Sequence, residues 1–109
     1  KPAFNHDSKI ETCSIVLDNP LSNTIFDNWL DTLVGIKGSD ILRIKGLVFL
    51  EGIEAPFVFH GVQQIFDPPV QLKTWSNEDR KSRIVVIARN ISQLQLQKSL
   101  EMLRIQNHD

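Results

Sequence analysis

The chain has 109 residues, enough for one domain and not two. Hydrophobic residues make up 41% and charged residues 23%, a balance that builds a core without a disulfide or metal staple. A net charge of −1 excludes a global field for nucleic acid, and the single cysteine, Cys13, excludes an internal disulfide and a multi-cysteine zinc site. Charges interrupt every apolar run well before the roughly 18 residues of a membrane span, and no signal peptide is visible. A lone thiol is compatible with a reducing cytoplasm, so a cytoplasmic protein is expected.

Residues 1–8 read as a linker or tail, and a start at Lys1 without an initiator Met suggests a piece of a longer protein. The first strand is expected over 9–17 and ends at Asp18-Asn19-Pro20, because proline lacks the donor a strand interior needs. Ser22 is placed as the N-cap of a helix, with Leu21 and Phe26 as a hydrophobic staple. Ile25, Phe26, Trp29, Leu30 and Leu33 recur with helical spacing and form one apolar stripe, with Asp27 and Asp31 off it. Gly35 and Gly38 are expected to end that helix.

The second strand is expected over 41–50, the third over 56–66, and a tight turn joins them at 52–55. Gly61 inside the third strand suggests a bulge or a close backbone approach, and Asp67-Pro68-Pro69 stops it. Residues 70–82 read as a polar loop with one apolar anchor, Trp75, long enough to suggest a function. The fourth strand is expected over 83–89. Ser92 and Gln95 form a capping box and Ile91 and Leu96 a second staple for a helix running to about 104, with Leu96, Leu100 and Leu103 inward and 105–109 as a tail.

This order, β-α-β-β-β-α over 9–104, predicts an α+β two-layer fold: a four-stranded, mainly antiparallel sheet with two helices. The first and second strands should be joined by a right-handed crossover, and strands two, three and four should form a meander. The strands carry apolar residues on both faces, which leaves two readings. Either another domain or subunit lies against the second face, or the long loop folds over it.

Candidate chemistry is sparse. His60 lies mid-strand, either satisfied by a polar neighbour or acting as a ligand or switch; His6-Asp7 and His108 lie near the ends. Arg43, Lys45 and Arg83 are expected to converge, as a solvated face or as a patch for an anion or acidic partner. Arg80 and Lys81 extend that patch, while Glu78 and Asp79 dilute it. Phe57 and Phe59 are expected in the core rather than as a stacking platform for bases. Cys13 is expected as a buried structural thiol, Asp67 as a turn former, and Glu51 and Glu54 as solvated. The sequon Asn90-Ile91-Ser92 is explained by helix capping. No carboxylate pair suits acid–base work, and no GxxxxGK[ST] phosphate loop occurs.

The segments Leu42-Arg43-Ile44-Lys45-Gly46-Leu47-Val48, His60-Gly61-Val62, Phe66-Asp67, Trp75 and Ser82-Arg83-Ile84-Val85-Val86-Ile87-Ala88-Arg89 follow one another in an order and spacing that matter in combination. Together they resemble the C-terminal domain of the CobW family of P-loop GTPases, over about 9–103. The opening His6-Asp7 is similar to the linker that precedes that domain in relatives. The resemblance implies a parent that is a GTP-dependent metal chaperone or insertase, serving cobalamin biosynthesis, zinc homeostasis or metalloenzyme maturation. It assigns GTP, a divalent metal (zinc or cobalt) and the Cys-x-Cys-Cys motif to an N-terminal GTPase domain. Arg43, Lys45, Gly46, His60, Gly61 and Arg83 fall on the signature positions.

The expected function is therefore a non-catalytic accessory or docking domain, not an enzyme, with no cofactor of its own. Its expected partners are its GTPase domain and a metalloprotein client, with no membrane and no nucleic acid. The alternative is a small-anion or nucleic-acid module using the basic sheet patch; a third reading is a metal-binding domain pairing His60 with a terminal histidine.

Overall fold

A computed structural model of the chain describes residues 9–62, 65–73 and 79–108. Two helices and an antiparallel sheet form two layers, as the α+β reading predicts. Trp75 and His6-Asp7 lie outside the described residues.

The chain opens with β1 (Ile10–Leu17), whose alternation buries Cys13, Ile15 and Leu17 on one face. α1 (Asn23–Lys37) begins where Ser22 accepts the Ile25 N–H at 3.4 Å, and Leu21 and Phe26 on either side of that cap are buried. Gly35 lies inside α1 and does not end it. Gly38 is the C-cap, with right-handed φ, and leads into one 3-10 turn, Gly38–Asp40.

β2 (Ile41–Val48) and β3 (Phe57–Val62) form the expected hairpin. Its turn closes through the Ile53 N–H to the Leu50 carbonyl at 3.2 Å, and Gly52 takes a φ of +79° there, which a side chain would resist. The third strand is shorter than expected. The chain doubles back after Val62, and β4 (Ile65–Phe66) pairs antiparallel with the end of β3. β5 (Val70–Gln71) pairs with the start of β3, so the segment expected as a loop carries a strand. β6 (Ser82–Arg89) and α2 (Gln93–Gln106) complete the chain. The capping box on α2 is present with both bonds, Ser92 to Gln95 and back.

The strand order corrects the sequence expectation in two ways. The sheet runs β1-β6-β2-β3-β4, five strands rather than four, with β5 also on β3. The expected meander is absent, because β6 does not pair with β3. It inserts between β1 and β2, antiparallel to both, so β1 and β2 run parallel with β6 between them. Beyond the N-terminal start of β6, the segments that follow β1 and β2 meet directly in a parallel bridge at Leu21 and Leu50. The register irregularity also lies elsewhere than predicted: it falls in β2 between Ile41 and Arg43, while pairing through Gly61 is regular.

Both helices lie on one side of the sheet. Phe26, Trp29 and Leu33 of α1 and Leu96, Leu100 and Leu103 of α2 close over Ile15, Leu17, Ile44, Val48, Phe59, Ile84 and Val86. Each such large side chain stabilises by about 1.5–3 kcal/mol on burial. Trp29 carries a polar tip into this layer and satisfies it by donating from Nε1 to the Ser99 carbonyl at 3.0 Å, which links the two helices. α2 also shields the edge strand β1. Gln93 donates to the Thr12 carbonyl, and Arg104 donates to the Val16 carbonyl at 3.1 Å. Unpaired strand carbonyls are thereby blunted against edge-to-edge association.

Ser82 is fully buried at the start of β6, and its hydroxyl accepts the Phe49 N–H at 2.9 Å. Ser82→Ala should leave that buried donor without an acceptor and lower stability by about 1–3 kcal/mol, read by urea denaturation. An unchanged midpoint would show that the bond contributes nothing.

Candidate functional site

The side of the sheet turned away from both helices is built by the alternation of four long strands. Directly paired residues share a face, so the ladder defines it row by row. One row is Ser14, Val85, Lys45 and His60; the next is Val16, Arg83, Leu47 and Val58. On the other side of the first row stand Thr12, Ile87 and Arg43. Arg89 follows beside Ile10. β-Branched and other apolar residues therefore alternate with cations across the whole face.

The apolar members divide into two groups. Leu47, Val58, Val85 and Ile87 are half-buried among their neighbours. The outer members are open to solvent: Ile10 is 60% exposed, Val62 53% and Val70 64%. One end of this side is sheltered. Phe49 is fully buried with the Arg80 guanidinium 4.9 Å from its ring centroid, and Arg80 also donates to the Ile53 carbonyl. The segment after residue 78 thus covers the Phe49 end, and the rest of the face stays open among the described residues.

The signature residues separate into two kinds. Arg43, Lys45, Arg83 and His60 stand together on the outer face. They converge there because β6 lies directly beside β2. Gly46 and Gly61 alternate with them and face the helices. A Cβ at Gly46 would stand 2.6 Å from Phe59 Cε1 and 2.9 Å from the Arg83 carbonyl oxygen. That missing side chain gives room to the Phe59 ring, which meets Phe26 edge-on at 5.2 Å between centroids. Gly46 therefore acts through packing.

The charges differ in their partners. Arg83 is bound by Asp79, and this ion pair holds the Asp79 carboxyl below its ordinary range, helped by the Lys81 N–H. Arg89 approaches Asp40 at 3.6 Å, and His60 Nε2 lies 3.2 Å from Asp67 Oδ2. Asp67, expected to shape a turn, thus also serves His60. Arg43 and Lys45 are exposed and make no ion pair among the described residues. Cys13 is remote from these groups, on the helix side; its thiol faces the Gln93 carbonyl at 3.7 Å, and burial pushes its pKa up.

Sequence reasoning missed a second concavity, between the helices. A cavity of about 350 Å³ is floored by Trp29, Leu33 and Leu96 and edged by Met102. The available signal was Met102, which is apolar yet off the core stripe of α2.

A parallel pair split by an antiparallel strand, with both helices on one side, defines a two-layer α+β domain with one open sheet face. The family model for the cobalamin synthesis protein cobW C-terminal domain matches residues 10–104, and the chain belongs to that family. It is similar in fold to the crystal structure of the Zn(II)-bound YjiA GTPase from E. coli, with a TM-score of 0.76 and 22% identity over 95% of this chain and 34% of that one. A Zn(II)-bound triple mutant of the YjiA GTPase gives 0.75 and 22% over 94% and 33%. The chain thus spans about a third of the length of these GTPase chains. Comparison with the curated proteins returns no match.

Two outcomes test this geometry. Gly46→Ala should drive the Phe59 ring from its seat and cost about 1–3 kcal/mol, seen as a lowered urea midpoint. The raised pKa and burial of Cys13 leave little accessible thiolate, so iodoacetamide at pH 8 should label the folded chain far more slowly than the chain in urea. Equal rates would contradict the buried position.

Proposed function

We propose that this domain is the accessory, non-catalytic part of a CobW-like GTP-dependent metal chaperone, where it docks against its GTPase domain and a metalloprotein client. One observation carries the reading: both helices sit on one side of the sheet, and the other side keeps exposed apolar residues beside cations. A surface of that mixed character suits a partner that lies against it.

The chain's own residues do not fit the parent's chemistry. The sequence has no phosphate loop and one cysteine, so neither GTP nor a Cys-x-Cys-Cys metal site is placed here. Among the described residues no group of three His, Cys, Asp or Glu could hold a metal ion. The family resemblance implies that GTP and a zinc or cobalt ion belong to the N-terminal GTPase domain of the parent. The Zn(II) of the YjiA structures belongs to a chain about three times as long. No helix among the described residues is long and apolar enough to cross a membrane, and a cytoplasmic parent is the reading adopted.

The domain should associate with the GTPase domain of its parent with an affinity that changes between GTP and GDP. Isothermal calorimetry measures it directly. No association in either nucleotide state would overturn the docking role.

A further inference from the structure

Resting on the docking reading, we infer that the partner of the open sheet face is an acidic protein segment, and that Arg43 and Lys45 are the two anchors that receive its carboxylates. The outward positions of β1, β2, β3 and β6 carry four cations, Arg43, Lys45, Arg83 and Arg89, and no Asp or Glu. The chain as a whole has 13 acidic and 12 basic residues, so this separation of sign is local and does not follow from composition.

The internal pairing selects the anchors. Arg83, Arg89 and His60 each have a carboxylate from outside those four strands: Asp79, Asp40 and Asp67. Arg83 and Arg89 stand toward the two ends of β6, and His60 lies on β3 directly opposite Lys45. Arg43 and Lys45 stand on β2, flanked by β6 on one side and β3 on the other, and have no such neighbour among the described residues. Internal carboxylates thus serve Arg83, Arg89 and His60, while Arg43 and Lys45 are left without one among the described residues. A carboxylate arriving there would meet two cations two residues apart on one strand, about 7 Å along it, with Val85 and Ile87 beside them.

The shape of the pattern favours protein over nucleic acid. Cations alternate with β-branched residues, so the complementary ligand is itself alternating, with acidic and apolar groups in turn. A nucleic-acid platform needs bases stacked on aromatics among its cations. The outward positions of β1, β2, β3 and β6 hold none: Phe57 and Phe59 face the helices.

The test uses the 15N-labelled chain and two probes of matched charge: a synthetic peptide alternating Glu and Leu, and a single-stranded oligothymidine. The peptide should shift amide resonances of Arg43, Lys45, His60, Val85 and Ile87, with binding that weakens as salt rises. The double variant Arg43→Glu/Lys45→Glu should weaken it about tenfold or more. Lys98→Glu on α2, away from this face, should leave it unchanged. Unaltered circular dichroism checks that the variants fold, and Arg43→Gln/Lys45→Gln gives a milder version of the same loss. Oligothymidine binding as tightly as the peptide would overturn the proposal, as would peptide shifts confined to the helices or indifference to charge reversal. A peptide that binds here while the GTPase domain does not would uphold the acidic partner and reject that domain as its source.

Discussion

The insertion of β6 between β1 and β2 is the constraint on which the rest of this structure depends. Its eight residues pair along the full length of β1, from Ile10 with Arg89 to Leu17 with Ser82. On its other edge it pairs with β2 from Ile41 with Ala88 to Leu47 with Arg83. One strand therefore satisfies the backbone groups of two parallel neighbours that never form a ladder with each other. Because pairing fixes which residues share a face, that insertion also sets the whole composition of both surfaces. Ile84, Val86 and Ala88 go to the core, and Arg83, Val85, Ile87 and Arg89 go outward beside Arg43, Lys45 and Leu47.

The two faces then take different roles for a geometric reason. α1 leaves from the end of β1 and α2 from the end of β6, and both fold back over the same side. The helix side becomes dense with Phe, Leu, Ile and Trp, and it tolerates glycine where an aromatic ring crosses the sheet, as Phe59 does over Gly46. Among the described residues the opposite side receives no helix. Long basic side chains are suited to such a surface, since their apolar stems can lie along Val and Ile neighbours while the charge stays in water. The buried core and the charged surface thereby fall on opposite faces of one sheet. A residue such as Gly46 and a residue such as Lys45, adjacent in the chain, belong to different problems.

Much of this was legible from residue spacing. The caps at Ser22 and Ser92, the core stripes of both helices, the alternation of the first and last strands, and the buried state of Cys13 all follow from interactions within a few residues of each position. Gathering Arg43, Lys45 and Arg83 on one face was also legible, although it comes from direct pairing of β2 with β6 and not from the expected meander. The failures share one origin. Reading 56–66 as one strand missed the reversal that creates β4, and reading 70–82 as a loop missed β5. Both short strands exist only because β3 offers a free edge, and a free edge is not visible in a local pattern. Asp67, Asp40 and Asp79 were likewise scattered carboxylates until the fold brought them to His60, Arg89 and Arg83.

The linear order of residues by itself determined the two helices, the first and last long strands and the apolar stripe of each, because hydrogen-bond caps and hydrophobic periods act over one or two turns of chain; the combined order of its motifs also carried the family resemblance. Only the tertiary structure decided that β6 enters between β1 and β2, that both helices take one side, and that Arg43 and Lys45 make no ion pair among the described residues. Those outcomes come from pairing between distant segments, from 36 residues apart for Leu47 with Arg83 to 79 for Ile10 with Arg89, where several registers satisfy the same local pattern and shared burial of one core selects among them.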